Sequence, residues 1–334
     1  MRLKNPKVSI VCITYNHEQY IAQALDSFIA QQCDFPIEII IADDSSTDRT
    51  QSIIRSYARK YRGIVVPILR KKNIGIGLNL RDALMRAKGG YIAMCEGDDY
   101  WTDYQKLALQ VAYLDKHPQH TVCFHTTRVI FEDDSREEYT IPARKDRFNI
   151  KELIVGNFMH TSSVMYRRDT YDSLPVDMLP IDWYLNLHHA KIGKIGYIDR
   201  QMSVYRRNRQ SAWFPEVGKM NEFWLKRGIA HAKMFEYAYQ LFKDTPYSPA
   251  IEDTQNNWTR HLIGLDLQYS QGLIRDLCQE VPGAVSRYLK KESKESEQTK
   301  SELARTSEQL EMMKRSFFWK LRNKVVRMIG KRKV

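Results

Sequence analysis

The sequence predicts an α/β fold: a mainly parallel sheet flanked by helices, then a helical C-terminal region and a basic amphipathic tail. Three observations carry this expectation. Short β-branched runs alternate with segments of helical period over the first hundred residues, apolar side chains recur every three to four residues beyond Pro215, and nine basic residues with no acidic one follow Glu311.

Val8 to Thr14 reads as the first strand. Ile21, Leu25, Phe28 and Ile29 place a helix within His17 to Gln32, because a 3.6-residue period brings them onto one face. Glu38 to Ala42 is a second buried strand, after which Ser46 or Thr47 offers an N-cap to a helix carrying Ile53, Ile54 and Tyr57. Ile64 to Leu69 follows as a strand, Leu78 to Ala87 as a helix and Tyr91 to Cys95 as a fourth strand. Strands that alternate with helices pair in parallel, and open sheets of that kind bind ligands beyond the carboxyl ends of their strands.

The polar residues at those ends are therefore the ones of interest. They are Thr14-Tyr15-Asn16, Asp43-Asp44-Ser45-Ser46 and Glu96-Gly97-Asp98-Asp99. Asp43 to Ser46 has two readings, a helix cap with its turn or a ligand contact. Three carboxylates between Glu96 and Asp99 repel one another, and a hard divalent cation with oxygen ligands would offset that repulsion. No G-x-x-x-x-G-K-[ST] is present, and Gly75-x-Gly77 neither follows the first strand nor has the third glycine of a dinucleotide fingerprint. Phosphate-loop and dinucleotide-dehydrogenase chemistry are set aside.

Taken in order, Val8-Ser9-Ile10-Val11-Cys12-Ile13-Thr14-Tyr15-Asn16, Ala42-Asp43-Asp44-Ser45-Ser46-Thr47-Asp48, Asn73-Ile74-Gly75, Gly90 through Glu96-Gly97-Asp98-Asp99-Tyr100-Trp101, and Ile181-Asp182-Trp183 resemble glycosyltransferase family 2, whose fold is the Rossmann-like GT-A. The resemblance spans residues 7 to 215. It implies a nucleotide-diphosphate sugar donor and Mg2+ or Mn2+. Thr14, Tyr15, Asn16, Asp43, Asp44 and Asn73 would line the nucleotide pocket, with Asp44 accepting a hydrogen bond from the base. Glu96-Gly97-Asp98 stands where the family has Asp-x-Asp, so Glu96 would face the ribose and Asp98 would bind the metal, with Asp99 a neighbouring candidate. Glutamate at the first acid keeps the charge and lengthens the reach.

The same resemblance gives Asp182 the role of base on the acceptor hydroxyl. The alternative is that Asp182 only caps a helix over Trp183 to Lys191. His160, in His160-Thr161-Ser162-Ser163, would lie on a loop near the acceptor, or be hydrogen-bonded within the fold. Tyr205-Arg206 aligns with a Tyr-Arg-x-His segment in which Asn208 replaces the histidine, so Arg206, Arg207 and Arg209 either bind phosphate or form a basic strand edge. Trp183, His160, Arg206 and Asn208 are thus expected on the acceptor or diphosphate side.

Phe223 to Phe242 and Ile251 to Glu280 repeat aromatic and aliphatic residues, among them Trp258, Leu262, Leu265, Tyr269 and Leu273, as packing faces do. Lys290 to Glu311 is charged and small-polar and reads as a solvated helical linker; Leu303, Leu310 and Phe317 leave self-association through residues 290–317 open. The chain carries 52 Lys and Arg against 40 Asp and Glu, a formal charge of +12, yet 43 basic residues face the 40 acidic ones up to Glu311. The basicity therefore belongs to the tail. There Phe318, Leu321, Val325 and Met328 or Ile329 share a helical face among nine cations, the pattern of an interfacial helix, and residues 314–334 are expected on an anionic membrane surface. A protein partner and nonspecific RNA contact are the alternatives, and no specific nucleic acid is expected.

Composition bounds the class. With 43% hydrophobic and 11% aromatic residues the chain is neither disordered nor collagenous. Five scattered cysteines show no metal-ligand or disulfide spacing, and no apolar run approaches the roughly 18 residues of a membrane span. The expected location is cytoplasmic, peripheral at the inner face of the cell membrane. The expected organisation is a nucleotide-sugar-binding half at 1–110, an acceptor and catalytic half of the same GT-A domain at 111–215, a helical region at 216–288, and a linker with its tail at 289–334. The expected function is metal-dependent, inverting transfer of a sugar to a hydroxyl of a glycan or lipid-linked acceptor in cell-surface polysaccharide synthesis. The alternative is a noncatalytic sugar-nucleotide-binding or assembly protein.

Overall fold

The computed structural model describes residues 5–132, 138–140, 148–207 and 219–315. Asn208, Arg209 and the tail from 316 onward lie outside the described residues. The chain divides into two compact units, 1–281 and 282–334.

The first unit opens with the alternating series the sequence predicts. Strands β1 (Val8–Thr14), β2 (Ile37–Asp43), β3 (Val65–Leu69) and β4 (Tyr91–Met94) are joined by helices α1 (Ile21–Ile29), α2 (Thr50–Lys60) and α3 (Ile76–Arg86). All pair in parallel, Val8 standing opposite both Ile37 and Tyr91. Beyond β4 the sheet becomes mixed. The next elements are β5 (Tyr100–Trp101), α4 (Lys106–Lys116), β6 (His120–Phe131), β7 (Tyr139–Thr140), α5 (Ile150–Val155), a 3-10 turn at Thr161–Ser163, β8 (Met165–Arg167), α6 (Ile181–Ile192) and β9 (Lys194–Arg207). β8 lies antiparallel between β4 and β6, while β9 runs parallel to β6 and antiparallel to β5. The sheet order is β3-β2-β1-β4-β8-β6-β9-β5, with β7 paired to β6.

Burial explains why the strands read as continuous apolar runs. On β1 and β2, Val11, Ile40 and Ala42 belong to a core shared with Leu80 and Leu84 of α3 and Leu185 of α6. Their neighbours Ile10, Cys12, Ile39 and Ile41 belong to a second core with Leu25 and Phe28 of α1 and Leu107 and Val111 of α4. With helices on both faces, alternation between apolar and polar residues disappears.

Helices α7 (Met220–Phe242), α8 (Ser248–Tyr269) and α9 (Leu273–Glu280) complete this unit. Their aromatic residues pack as expected: Trp224 and Trp258 lie 4.5 Å apart by ring centroid, and Phe235 is fully buried. The helical pattern predicted from Ile251 to Glu280 is divided in two. Ser270 (φ 53°) and Gly272 (φ 80°) take left-handed conformations, and Asp266 accepts from the Ile274 N–H at 3.0 Å, so the chain turns where the apolar period alone gives no break. In the second unit, α10 (Pro282–Arg315) is a single helix containing the charged linker, with Lys291 and Glu295 4.0 Å apart. Among the described residues no helix is long and apolar enough to cross a membrane.

Two helix starts also differ from the sequence reading. α1 begins at Ile21 because His17 to Tyr20 form a turn, with the Ile21 N–H on the His17 carbonyl. α2 begins after Arg49, and Asp48 accepts from the Thr50 N–H at 2.9 Å. Ser46 and Thr47 are occupied instead with Asn16, which receives the Thr47 N–H and gives its own N–H to Ser46.

Two helical glycines separate close packing from mere helix propensity. A Cβ on Gly77 in α3 would sit 2.0 Å from the Val176 carbonyl oxygen, whereas one on Gly264 in α8 meets nothing within 4 Å. Gly77→Ala should lower unfolding free energy by about 1–3 kcal/mol through overpacking, and Gly264→Ala should raise it by about 0.5–1 kcal/mol. Urea unfolding midpoints of the two variants check both signs.

Candidate active site

Parallel pairing brings the ends of β1, β2 and β4 together, and the chain leaving β4 stays beside β1. The Cys95 N–H bonds to the Val11 carbonyl at 3.2 Å and the Gly97 N–H to the Ile13 carbonyl at 3.0 Å. Glu96 to Asp99 therefore lie against Thr14. Gly97 is the close approach: a Cβ there would stand 2.6 Å from Thr14 Oγ1 and 3.1 Å from His17 Nδ1. The Asp99 N–H returns to the Glu96 carbonyl at 3.2 Å and closes the turn.

The acids are poorly hydrated. Asp98 and Asp99 are 7% and 1% exposed. Burial raises the Glu96 carboxyl above its ordinary range, and the charges of Asp98 and Asp182 raise it further. Burial likewise raises Asp99, followed by the fields of Asp98 and Glu96. That field links the acidic loop to Asp182, on a different element.

Asp182 is the second residue of α6, while Pro180 holds the cap position. The capping alternative is thereby corrected. Its Oδ2 accepts from Asn157 Nδ2 at 3.0 Å, and Asn157 Oδ1 accepts from Asn186 Nδ2 at 3.0 Å. Burial lifts the Asp182 carboxyl to about 6, with hydrogen bonds from the Trp183 N–H, its own N–H and Asn157 opposing the shift. Trp183 turns the other way. It is 6% exposed and its Nε1 donates to the Leu153 carbonyl at 2.7 Å, so it anchors the core and is not offered to an acceptor.

The two aspartates after β2 differ. Asp43 is fully buried and accepts from the Ser46 N–H, Ser46 Oγ and Gln51 Nε2, which makes it the knot of its turn, not a ligand contact. Asp44 accepts from the N–H groups of Ile74 at 2.8 Å and Gly75 at 2.9 Å, which leaves acceptor capacity on a carboxylate with about four lone-pair sites. Asn73 Oδ1 accepts from the same Gly75 N–H at 3.1 Å. Tyr15 is 44% exposed at the rim, and Asn16 and Ser45 take left-handed φ values of 57° and 67° at the two strand ends.

Arg206 is engaged within the protein. Its N–H donates to Asp99 Oδ1 at 2.8 Å, Nε to the Asp98 carbonyl at 2.9 Å, Nη1 to Glu132 and Nη2 to Gln23, and its guanidinium lies over the Tyr20 ring. It fastens the acidic loop from behind, which corrects both the phosphate and the exposed-edge readings for this residue. His160 packs against Tyr205 with the rings tilted by 32° and their centroids 4.8 Å apart, and its Nε2 is buried without a partner among the described residues. Burial lowers its pKa to about 4, with the charge of Arg207 adding to the shift.

The sequence reading missed His17 and Asn157. His17 Nε2 stands 3.9 Å from Asp98 Oδ2, and its position directly after Tyr15-Asn16 was a usable signal. Asn157 has no motif around it and is brought to Asp182 only by the tertiary fold.

Among the described residues no three His, Cys, Asp or Glu side chains form a ready metal cage. A Mg2+ or Mn2+ ion of the kind held by one or two carboxylates and substrate phosphates needs none. Asp98 would supply a hard oxygen ligand, and among the described residues Thr14 Oγ1, against Gly97, and Asp99 Oδ2 are buried oxygen atoms without hydrogen-bond partners. That donor set fits such an ion.

Comparison with known proteins gives the family and the fold. The family described as glycosyl transferase family 2 matches residues 9–174. An uncharacterized protein of Mycobacterium tuberculosis is 45% identical over 260 residues, covering 77% of this chain and 75% of that protein. The poly(ribitol-phosphate) β-N-acetylglucosaminyltransferase TarS of Staphylococcus aureus is 34% identical over 114 residues, 33% of this chain and 19% of that protein. The structure of S. aureus TarS 1-349 with UDP-GlcNAc superposes with a TM-score of 0.56 at 18% identity, over 85% of this chain and 79% of that one. A mannosyltransferase from Pyrobaculum calidifontis, in complex with GDP-Man and Mn2+, gives 0.54 at 16% identity over 86% and 84%. The shared architecture is GT-A, and by family match and sequence identity together the chain belongs to glycosyltransferase family 2.

Proposed function

We propose that this glycosyltransferase moves a sugar from a nucleotide diphosphate to a hydroxyl of a glycan or lipid-linked acceptor, with inversion and with Mg2+ or Mn2+. The observation that carries the reading is Asp182: a half-buried carboxylate with a raised pKa, held by Asn157, its charge bearing on Glu96 of the acidic loop from a separate element. A base on one side and a metal-binding acid on the other is what displacement at an anomeric carbon needs. Structures of related fold bind UDP, UDP-GlcNAc and GDP-Man, which supports a nucleotide-sugar donor.

In this reading Asp44 and Asn73 bind the nucleoside end of the donor, Tyr15 covers it at the rim, and Glu96 faces the ribose. Residues 1–110 form the donor half and 111–215 the acceptor half. Asp98 would hold the metal, which when bound would supply positive charge to offset that developing on the departing diphosphate. Asp99 supports Asp98, with Arg206 holding both in place. Asp182 takes the proton of the acceptor hydroxyl as that oxygen attacks the face opposite the diphosphate, and its raised pKa makes it a stronger base than an exposed aspartate. Residues 314–334 bring the enzyme to an anionic membrane surface, which places it near lipid-linked acceptors.

Asp182→Asn should lower turnover about 10²–10⁴-fold, the usual worth of a positioned base, with nucleotide affinity unchanged by calorimetry. Normal turnover in that variant removes the assignment. The base works only when deprotonated, so the wild-type rate should fall as pH drops through about 6, and stopped assays from pH 5 to 8 should find that limb missing in Asp182→Asn. Asp98→Ala should abolish the Mn2+ dependence of UDP binding; titrations equal with Mn2+ and with EDTA are the expected result, and a retained Mn2+ effect counts against the role. Deleting residues 314–334 should release the protein from phosphatidylglycerol vesicles in sedimentation assays, and equal sedimentation of both forms sinks the membrane reading.

A further inference from the structure

Lys106 opens α4 with its side chain wholly buried. An ammonium in that setting is costly unless it is paired. Its Nζ donates to Gln110 Oε1 at 2.7 Å and lies 4.1 Å from the centroid of the Trp101 ring. The titratable groups bearing on it are the thiols of Cys95 and Cys123 and the buried imidazole of His125, and burial brings its pKa down to about 7. Neither contact is part of the site described above, so the cation needs another explanation.

Both of its partners hold the same piece of chain. Trp101 Nε1 donates to the Ser162 carbonyl at 2.9 Å, and Gln110 Nε2 donates to the Ser163 carbonyl at 2.8 Å. The turn they grip is closed on His160, whose carbonyl accepts from Ser163 N–H and Oγ. Three residues earlier stands Asn157, which holds Asp182. At the other end, Trp101 follows Asp99 by two residues and pairs with Ser203 on β9. One buried cation therefore joins the chain leaving the acidic loop to the wall that supports the base.

We infer that Lys106 is a positioning residue: through Trp101 and Gln110 it fixes the turn at Thr161–Ser163 and so the separation of the Glu96–Asp99 loop from Asp182. The chemistry explains why a lysine is used, since its Nζ donates to Gln110 Oε1 whether charged or neutral. With its Oε1 bound to an ammonium, Gln110 can direct only its NH2 toward the Ser163 carbonyl. Without that donor Gln110 Oε1 is left as a buried acceptor without a partner, and the amide loses the contact that fixes its place against the turn. Trp101 is held in a second way, its ring face under the cation and its N–H on Ser162. This inference rests on reading Asp182 as the base.

The test is Lys106→Met, which keeps length and removes the donor. The assay is metal-dependent hydrolysis of whichever of UDP-GlcNAc, UDP-glucose and GDP-mannose the wild type cleaves, beside calorimetric affinity for UDP or GDP with Mn2+ and the Tm. Hydrolysis kcat should fall at least tenfold, with nucleotide affinity within twofold of wild type and Tm within a few degrees. A merely structural role would lower affinity and Tm together with kcat, and that parallel loss overturns the inference, as does a kcat within twofold of wild type. Gln110→Glu guards against misfolding: it keeps a partner for Lys106, loses the donor to Ser163, and should show the same split. Asp182→Asn in the same assay separates the two readings. A fully active Asp182→Asn removes the base, whereas an inactive Asp182→Asn beside a fully active Lys106→Met removes only the brace.

Discussion

Four carboxylates gathered at one place, two of them buried and two half-buried, are the constraint on which the rest of this structure depends. Glu96, Asp98 and Asp99 stand on one turn and Asp182 on another element, and burial with mutual repulsion raises the pKa of Glu96 and Asp99. Such a group does not hold itself together. The neighbouring chain must supply positive charge, backbone donors and rigid packing, and each is present. Arg206 gives Asp99 a backbone N–H and grips the Asp98 carbonyl, Gly97 lets the turn press against Thr14, and Asn157 holds Asp182.

The position of Arg206 shows how a local requirement spreads through the fold. Its guanidinium reaches Glu132 at the end of β6, Gln23 on α1 and the Tyr20 ring, so β9, β6, the acidic loop and the start of α1 meet at one side chain. Tyr20 in turn donates to Glu132 at 2.5 Å. A residue satisfied by this many partners is poorly suited to follow a departing phosphate. Its value lies in keeping the loop still, and repulsion among carboxylates is what makes stillness expensive to maintain.

How far this was legible in the sequence depends on range. The parallel half of the sheet was readable because each β-branched run and each helical period is local, and the acidic loop was readable because three carboxylates are contiguous. Contacts between distant segments were not. Asn157 meets Asp182 across 25 positions and Lys106 meets the turn at Thr161–Ser163 through Trp101 and Gln110, with no local pattern marking either. Asp43 and Asp44 both read as nucleotide contacts, Asp44 preferred for the base, yet one is tied into its own turn and the other receives the Gly75 loop. The break at Ser270 was hidden because apolar spacing continues through it; the left-handed residues, not the pattern, end the helix.

The same constraint sets a direction for stability. A carboxyl whose folded pKa lies above its unfolded value binds more protons when folded, so folding weakens as pH rises from the ordinary carboxylate range through the folded pKa. For Asp182 that window runs from near 4 to about 6, and the upward shifts of Glu96 and Asp99 act in the same sense. The conditions that deprotonate the proposed base therefore also weaken the site that contains it. A ligand that binds the folded state alone raises stability with the logarithm of its concentration over Kd, and on the proposed reading a divalent cation would bring the positive charge the acids lack, with the diphosphate completing that cation's oxygen ligands. On that reading donor binding and the integrity of the acidic loop are coupled, with Arg206 and the proposed brace at Lys106 holding the loop before the donor arrives.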